Sequence, residues 1–335
     1  MIVRWTSGRS ATAWVVWATV FMALGRPLTI RAAEPTTVAD AAKRLDLSAF
    51  PPAGKVKEAF HGTIAQLVYE TEGAIAVVFE QIKQELNKRG WQPLPDGTIT
   101  DEYASATFAN GDSHVSVSVM PGSDPGTCRT TIVQHGNRVL GDLPLPAGAK
   151  ELFVGPISAM YTIPQAVDQA WTDYDQQLRS AGWIPYGDAV VQRFYKRNAL
   201  RLTVMITSAP AQNDQTMVQL STELMSADLP VPPEADQVQY SDSPTQVTFR
   251  DPRKVDDMLK TYGPQLTAIG WKATTEQPIK ERFEQFQIFR NAAGEMLELE
   301  LRPLGDDGTR VSAHFSTAKD VERMQQAVDQ AVKRP

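Results

Sequence analysis

Apolar positions recur in three long stretches of the chain with the same spacing. Each stretch ends in a Gly-Trp pair, at Gly90-Trp91, Gly182-Trp183 and Gly270-Trp271, spaced 92 and 88 residues apart. Counting back four, eight, eleven and fifteen positions from the first Gly gives Leu86, Ile82, Phe79 and Ile75. The second stretch has Leu178, Tyr174, Trp171 and Val167, and the third has Leu266, Tyr262, Leu259 and Val255. These offsets trace one stripe of an α-helix. Twenty-one positions back lie Tyr69, Tyr161 and Phe249, each closing a short β-prone run.

After each Gly-Trp the period changes from helical to alternating. Val115, Val117 and Val119 alternate with serines; Leu200, Leu202, Val204 and Ile206 alternate with Arg201, Thr203 and Met205; Leu297, Leu299 and Leu301 alternate with glutamates. Period two with one polar face predicts antiparallel strands covered on one side. Turn signals precede these strands at Asn110-Gly111, Asn198-Ala199 and Asn291-Ala292. A further strand follows near Thr130 to Gln134, Met217 to Thr222 and Val311 to Phe315. The predicted fold is therefore α+β: three tandem β-α-β-β-β modules, each with one helix packed on an antiparallel sheet.

The Gly-Trp pair fits a helix stop. Gly takes the left-handed conformation just past the cap, and the following Trp packs back on the Leu inside the last turn. Helix starts are predicted at the capping box Thr162-Ile163-Pro164-Gln165 and at Asp251-Pro252, and Pro264 is expected to kink or break the third helix. Proline-rich joints at Asp142 to Pro146 and Asp228 to Pro232 separate the modules. The division is 45–141, 142–227 and 228–317, followed by a tail, 318–335. That tail carries Val321, Met324, Val328 and Val332 at helical spacing, as a helix that packs on the third module or on a partner.

Residues 1–32 stand apart. Arg4 and Arg9 precede a charge-free apolar run from Ala11 to Leu24, and small residues follow, with cleavage boxes ending at Gly25 or Ala32. The run is shorter than the roughly 20 residues of a membrane helix and suits a cleaved export signal. An uncleaved anchor is the alternative. The segment holds four arginines and no acid, so its removal takes the formal charge from −6 to −10. Such a balance argues against nucleic-acid binding, and the mature chain is expected to lack an integral membrane span.

Composition narrows the chemistry further. A hydrophobic content of 42% supports packed cores and excludes a disordered polar tail. One cysteine, Cys128, excludes an internal disulfide framework, and the four histidines lack metal-ligand spacing, so neither a metal nor a cofactor is expected. Cys128 is expected to be a small buried thiol, with a Cys-His nucleophile using His135 or His114 as the alternative; no motif places it in a constrained turn. One constellation is specific to the second stretch: Arg193, Tyr195, Lys196 and Arg197, with Arg201 beyond the turn. If these residues point outward, they form a basic, aromatic patch that takes an anionic partner. A charged edge that discourages sheet pairing is the competing explanation.

In its joint–Tyr–helix–Gly-Trp pattern over 45–317 the chain resembles uncharacterised exported bacterial repeat proteins. In architecture alone it resembles tandem helix-on-sheet proteins of the β-lactamase inhibitory protein type. The resemblance implies an exported protein and carries no active site with it. The recurrent residues, Gly90, Trp91, Gly182, Trp183, Gly270 and Trp271, all have packing roles. The expected function is a non-enzymatic interaction scaffold of the periplasm or cell envelope, binding a protein or an envelope polymer. Two alternatives stay open: an enzyme acting on a small molecule or glycan at a module interface, and anionic-ligand binding at the second hairpin.

Overall fold

The computed structural model of the protein describes residues 34–56, 61–138, 140–212 and 215–332; the predicted export segment lies outside them. The described chain is α+β and mostly strand, with three antiparallel sheets and five α-helices. It opens with α1 (Val38–Arg44). The first sheet comprises β1 (His61–Gly62), β2 (Gln66–Glu72), β3 (Gln92–Pro93), β4 (Thr98–Ile99), β5 (Ala104–Asn110), β6 (Ser113–Pro121) and β7 (Thr127–Gly136), with α2 (Ile75–Lys88) between β2 and β3. The second comprises β8 (Lys150–Val154), β9 (Ser158–Ile163), β10 (Ile184–Ala189), β11 (Gln192–Arg197), β12 (Leu200–Ala209) and β13 (Gln215–Leu224), with α3 (Val167–Ser180) between β9 and β10. The third comprises β14 (Asp236–Asp242), β15 (Thr245–Asp251), β16 (Lys272–Ala273), β17 (Ile279–Glu281), β18 (Glu284–Arg290), β19 (Met296–Pro303) and β20 (Thr309–Ser316), with α4 (Val255–Ala268) between β15 and β16. The chain ends in α5 (Ala318–Val332).

Strand order in the second sheet is β10-β11-β12-β13-β9-β8. The third follows β14-β15-β20-β19-β18-β16, with β17 also on β18, and the first follows β1-β2-β7-β6-β5-β3, with β4 also on β5. Each sheet has more strands than the four the alternating pattern predicts. The extra ones are edge strands, which are short or lack alternation, as in Lys272-Ala273 or the Pro- and Gly-containing Ile184–Ala189.

Apolar burial follows the helical stripes. Ile75, Val78, Phe79, Ile82 and Leu86 of α2 join Tyr69, Val115, Val117 and Ile132 in one cluster. Tyr174 and Leu178 of α3 join Tyr161, Leu202, Val204 and Leu220, and Tyr262 and Leu266 of α4 join Phe249, Leu297, Leu299 and Val311. Each large side chain buried in this way contributes about 1.5–3 kcal/mol.

The three main helices stop identically. Gly90, Gly182 and Gly270 have φ of 82°, 84° and 96°. The N–H of Trp91 bonds to Leu86 O at 3.1 Å, and those of Trp183 and Trp271 bond to Leu178 O and Leu266 O at 3.0 Å. The glycine N–H groups reach Asn87 O, Arg179 O and Thr267 O. These paired bonds satisfy carbonyls that the helix end would leave open.

Helix starts differ from the sequence expectation. The first residue of α3 is Val167, and Ala166 at its N-cap makes no side-chain bond. Thr162 lies buried in β9, and Gln165 turns back to Ala147 O, so no capping box forms. The N-cap of α4 is Lys254, while the buried Asp251 accepts from the N–H and guanidinium of Arg253. Nor does Pro264 break α4, which runs continuously to Ala268. Tyr262 and Leu266 on either side of it are fully buried and anchor the turn, and Gly263 presents no Cβ to the proline ring.

The sheets meet at two junctions. Between the first and second, Ala41, Ala65, Ala199 and Leu224 form a small apolar cluster. The Ala65 N–H bonds to Ser226 Oγ at 3.0 Å, and His135 bonds to Thr222 O at 2.7 Å. Between the second and third, β10 lies against β14. Gly187 makes that approach possible: its φ is 117°, and a Cβ there would sit 2.1 Å from Val238 O. At the start of helix α5 the Thr317 hydroxyl donates to the Asp320 carboxylate and accepts from the Asp320 N–H. From Glu322 to Gln330 its residues are exposed, Met324 and Val328 included, so this stretch of the helix does not pack on the third sheet. Among the described residues no helix is long and apolar enough to cross a membrane.

Candidate functional site

The second junction leaves a cleft of about 860 Å³ between the second and third sheets. Its floor is the proline joint from Pro230 to Pro233. One wall comes from β10, β11 and the outer side of α3, and the other from the start of β14 and from Gln265 and Ile269 at the end of α4. The rim is aliphatic: Ile184 is 58% exposed and Ile269 53%. This volume lies within the range of ordinary ligand sites.

Arg193, Tyr195 and Lys196 of the sequence-derived patch line this cleft, Arg201 lies against Tyr240 of the third sheet, and Arg197 points away toward Glu34. Tyr195 is buried in the core of the second sheet and donates its hydroxyl to Asp175 Oδ1 at 2.9 Å. Burial raises its pKa above the usual phenol range, and the Asp175 carboxylate adds to the effect. Lys196 is 7% exposed on the opposite face. Its Nζ donates to Asp228 Oδ1 and Leu229 O, both at 2.6 Å, and lies 4.7 Å from the centre of the Tyr186 ring. Burial lowers the ammonium pKa while the Asp228 charge opposes that shift.

Arg197 donates to both carboxylate oxygens of Glu34, at 2.9 and 2.8 Å, and to Ala181 O at the end of α3. Arg201 pairs with Glu223 and lies over the rings of Phe194 and Tyr240. Only Arg193 has no carboxylate partner among the described residues; its guanidinium stacks 4.4 Å from the centre of the Trp171 ring. The expectation of an outward basic patch is corrected accordingly. Arg193, Tyr195 and Arg197 face α3, Lys196 and Arg201 face the third sheet, and internal acids neutralise three of the four cations.

Sequence reasoning missed Tyr186, which lines the cleft, and Asp242 close to it. Tyr186 is buried among Met225, Leu229 and Val238 of the third apolar cluster, with its hydroxyl donating to Leu229 O at 3.1 Å. Asp242, nearby, accepts from Tyr240 Oη at 2.7 Å and from the Ser226 N–H at 3.0 Å. Burial raises its pKa against those bonds. The signal available in sequence was the joint itself, Asp228-Leu229-Pro230, where one acid and one carbonyl receive Lys196.

The remaining candidates lie elsewhere. Cys128 is buried, and its Sγ donates to Gly73 O at 3.0 Å. His135 is engaged at both ring nitrogens, Nε2 with Ser116 Oγ at 2.8 Å and Nδ1 with Thr222 O. No group of three or more His, Cys, Asp or Glu placed to hold a metal ion occurs among the described residues. No protein-family model matches the chain, and no curated protein or solved structure shows significant similarity to it.

Proposed function

We propose that this is an exported, non-enzymatic binding protein made of three copies of one helix-on-sheet module, which receives an extended segment of a partner protein in the cleft between the second and third copies. The observation that carries this reading is the cleft's lining. Its rim is aliphatic, its floor is proline, and its ionisable groups are mostly paired with one another. Asp175 accepts from Arg179 and Tyr195, and Lys196 is held by Asp228. Groups committed in this way position walls rather than transfer protons, which favours binding over catalysis.

A polypeptide fits better than a glycan. Sugar sites offer open aromatic faces, whereas the aromatic residues lining this cleft are closed: Tyr186 and Tyr195 are buried, and Arg201 lies over Phe194. Three similar helix stops, three core clusters and three sheets support the repeat. The basic start, apolar run and small residues of the first 32 positions support export.

The test is site-specific photo-cross-linking in the native cells. A photoreactive residue replaces Ile184 or Ile269 on the rim, or the exposed Val77 on α2 as a control. The expected result is a defined protein adduct from both rim positions and none from the control. Adducts of equal yield at all three positions, or none at the rim, would overturn the cleft as the binding site.

A further inference from the structure

Charge pairing accounts for nearly every ionised group that lines the cleft. Arg179 bonds to Asp175 at 2.7 Å, Lys196 bonds to Asp228 at 2.6 Å, and Asp236 pairs with Arg250. Two groups are left over, Arg193 and Asp188. They are direct cross-strand partners on β11 and β10, yet form no ion pair with each other. Arg193 turns onto Trp171 instead, and Asp188 is exposed with no cationic partner among the described residues.

We propose that Arg193 and Asp188 are the charged recognition pair of the cleft, selecting a polypeptide segment that brings a carboxylate to Arg193 and a cationic side chain to Asp188. This rests on the reading of the cleft as a polypeptide site. Arg193 is prepared for the task. It stands on β11, which is bonded on both sides by β10 and β12, and the Trp171 ring and the Tyr195 hydroxyl hold the guanidinium in place. This leaves N–H groups that no carboxylate of the described chain takes and that can receive one from a ligand.

The neighbouring Asp188 sets the sign pattern. A polyanion that satisfied Arg193 would bring further negative charge against Asp188, while a lone cation would meet Arg193. A segment with both signs satisfies both groups, and the repulsive half of each contact excludes single-sign ligands. Nucleic acids and acidic polysaccharides are disfavoured by this pair as well as by the charge of −10 on the mature chain.

The test uses the full chain as bait for a phage-displayed random dodecapeptide library, with selected peptides synthesised and measured by fluorescence polarisation. Selected sequences are expected to share an acidic and a basic residue. Arg193→Met, which retains an unbranched side chain over Trp171, is expected to weaken binding about 10- to 100-fold. Replacing the peptide's acid by its amide should cost the same on the wild-type chain and nothing further on Arg193→Met. Asp188→Asn, an exposed substitution that the fold tolerates, gives the parallel cycle for the basic residue and keeps the test intact should Arg193→Met fold poorly.

Ile269→Arg on the rim separates the two readings. If it abolishes binding while Arg193→Met and Asp188→Asn do not weaken it, the charge pair is wrong and the cleft stands. If Ile269→Arg has no effect, the peptides bind elsewhere and both fail. A library that yields no binder overturns both.

Discussion

Lys196 and Asp228 form an ion pair whose two halves sit in different media, and this makes their substitutions unequal. The Lys196 side chain is 9% exposed and the Asp228 side chain 46%. Asp228→Asn leaves a buried ammonium held by an amide, by Leu229 O and by the Tyr186 ring. Stranding a buried charge costs about 3–5 kcal/mol when both partners are dry. Here water still reaches one side, so about 2–4 kcal/mol is expected. Lys196→Met removes the buried charge, and Asp228 turns to solvent. Leu229 O keeps its bond from Tyr186 Oη, so about 1–2 kcal/mol is expected from lost hydrogen bonds. Urea unfolding followed by Trp fluorescence measures both. The pH dependence supplies a second check. Because the folded-state pKa of Lys196 lies below the ordinary 10.5, the unfolded chain binds more protons in the window between the two values, and stability attributable to this group rises with pH there. Asp228→Asn removes the charge that opposes the shift and widens the window downward. Its deficit against wild type should therefore shrink as pH rises toward 10.5. A Lys196→Met cost equal to or above that of Asp228→Asn, together with a pH-independent deficit, would refute the account.

Other substitutions probe the junctions and the helix stops. Gly187→Ala places a Cβ 2.1 Å from Val238 O at a φ of 117° and should cost about 2–4 kcal/mol by chemical denaturation. Gly111→Ala, at a φ of 62° with nothing within 4 Å, should cost only about 1 kcal/mol; equal costs would show that the β10–β14 approach is loose. Trp183→Ala removes a side chain that is 2% exposed and should cost about 3–5 kcal/mol, and an unchanged melting temperature would remove it from the core. Burial holds the His135 imidazole below its ordinary 6.5. In the window beneath 6.5 the unfolded chain takes up a proton that the folded chain refuses, so stability should fall as pH drops through it. His135→Gln, whose amide can serve both Thr222 O and Ser116 Oγ, should flatten that acid limb; an unchanged limb would assign it to carboxylates instead.

What was legible in the sequence is what is encoded within a few residues. The helical stripes and the Gly-Trp stops depend on contacts four or five positions apart, such as Trp183 to Leu178, so spacing alone identifies them. The direction of Tyr195 was not local in this sense. The turn signals match Asn110 with Asn198, but Asn110 is still in a strand, paired with Ser113, while Asn198 lies beyond the last pair, Arg197 with Leu200. That slip of one residue exchanges the faces of the strand. In the true register Tyr195 opposite Leu202 corresponds to Phe108 opposite Val115 and to Phe289 opposite Leu297, all core residues. Nor did period two show that a neighbouring sheet covers the polar face of β11 and β12. The acids that neutralise the patch are remote: Asp228 is 32 residues from Lys196, and Glu34 is 163 from Arg197. No short-range rule anticipates such pairs.

The same register separates what the fold requires from what the second sheet alone possesses. Two positions before the shared core aromatic, the first sheet has Ala106 and the third has Gln287, whose amide bonds to Thr275. Both are buried. The second sheet has Arg193 there, at the edge of a cleft, with a charge that no internal carboxylate meets. One position after the aromatic stand Ala109, Lys196 and Arg290, and only Lys196 is sealed by a neighbouring joint. Neutral side chains therefore satisfy the architecture at the first of these positions in two sheets out of three. The Arg193 charge stands where the fold accepts an alanine, and it meets Trp171 and Tyr195 rather than a carboxylate. That difference between corresponding strands, rather than any motif the three share, is what supports the proposed binding site at the junction of the second and third sheets.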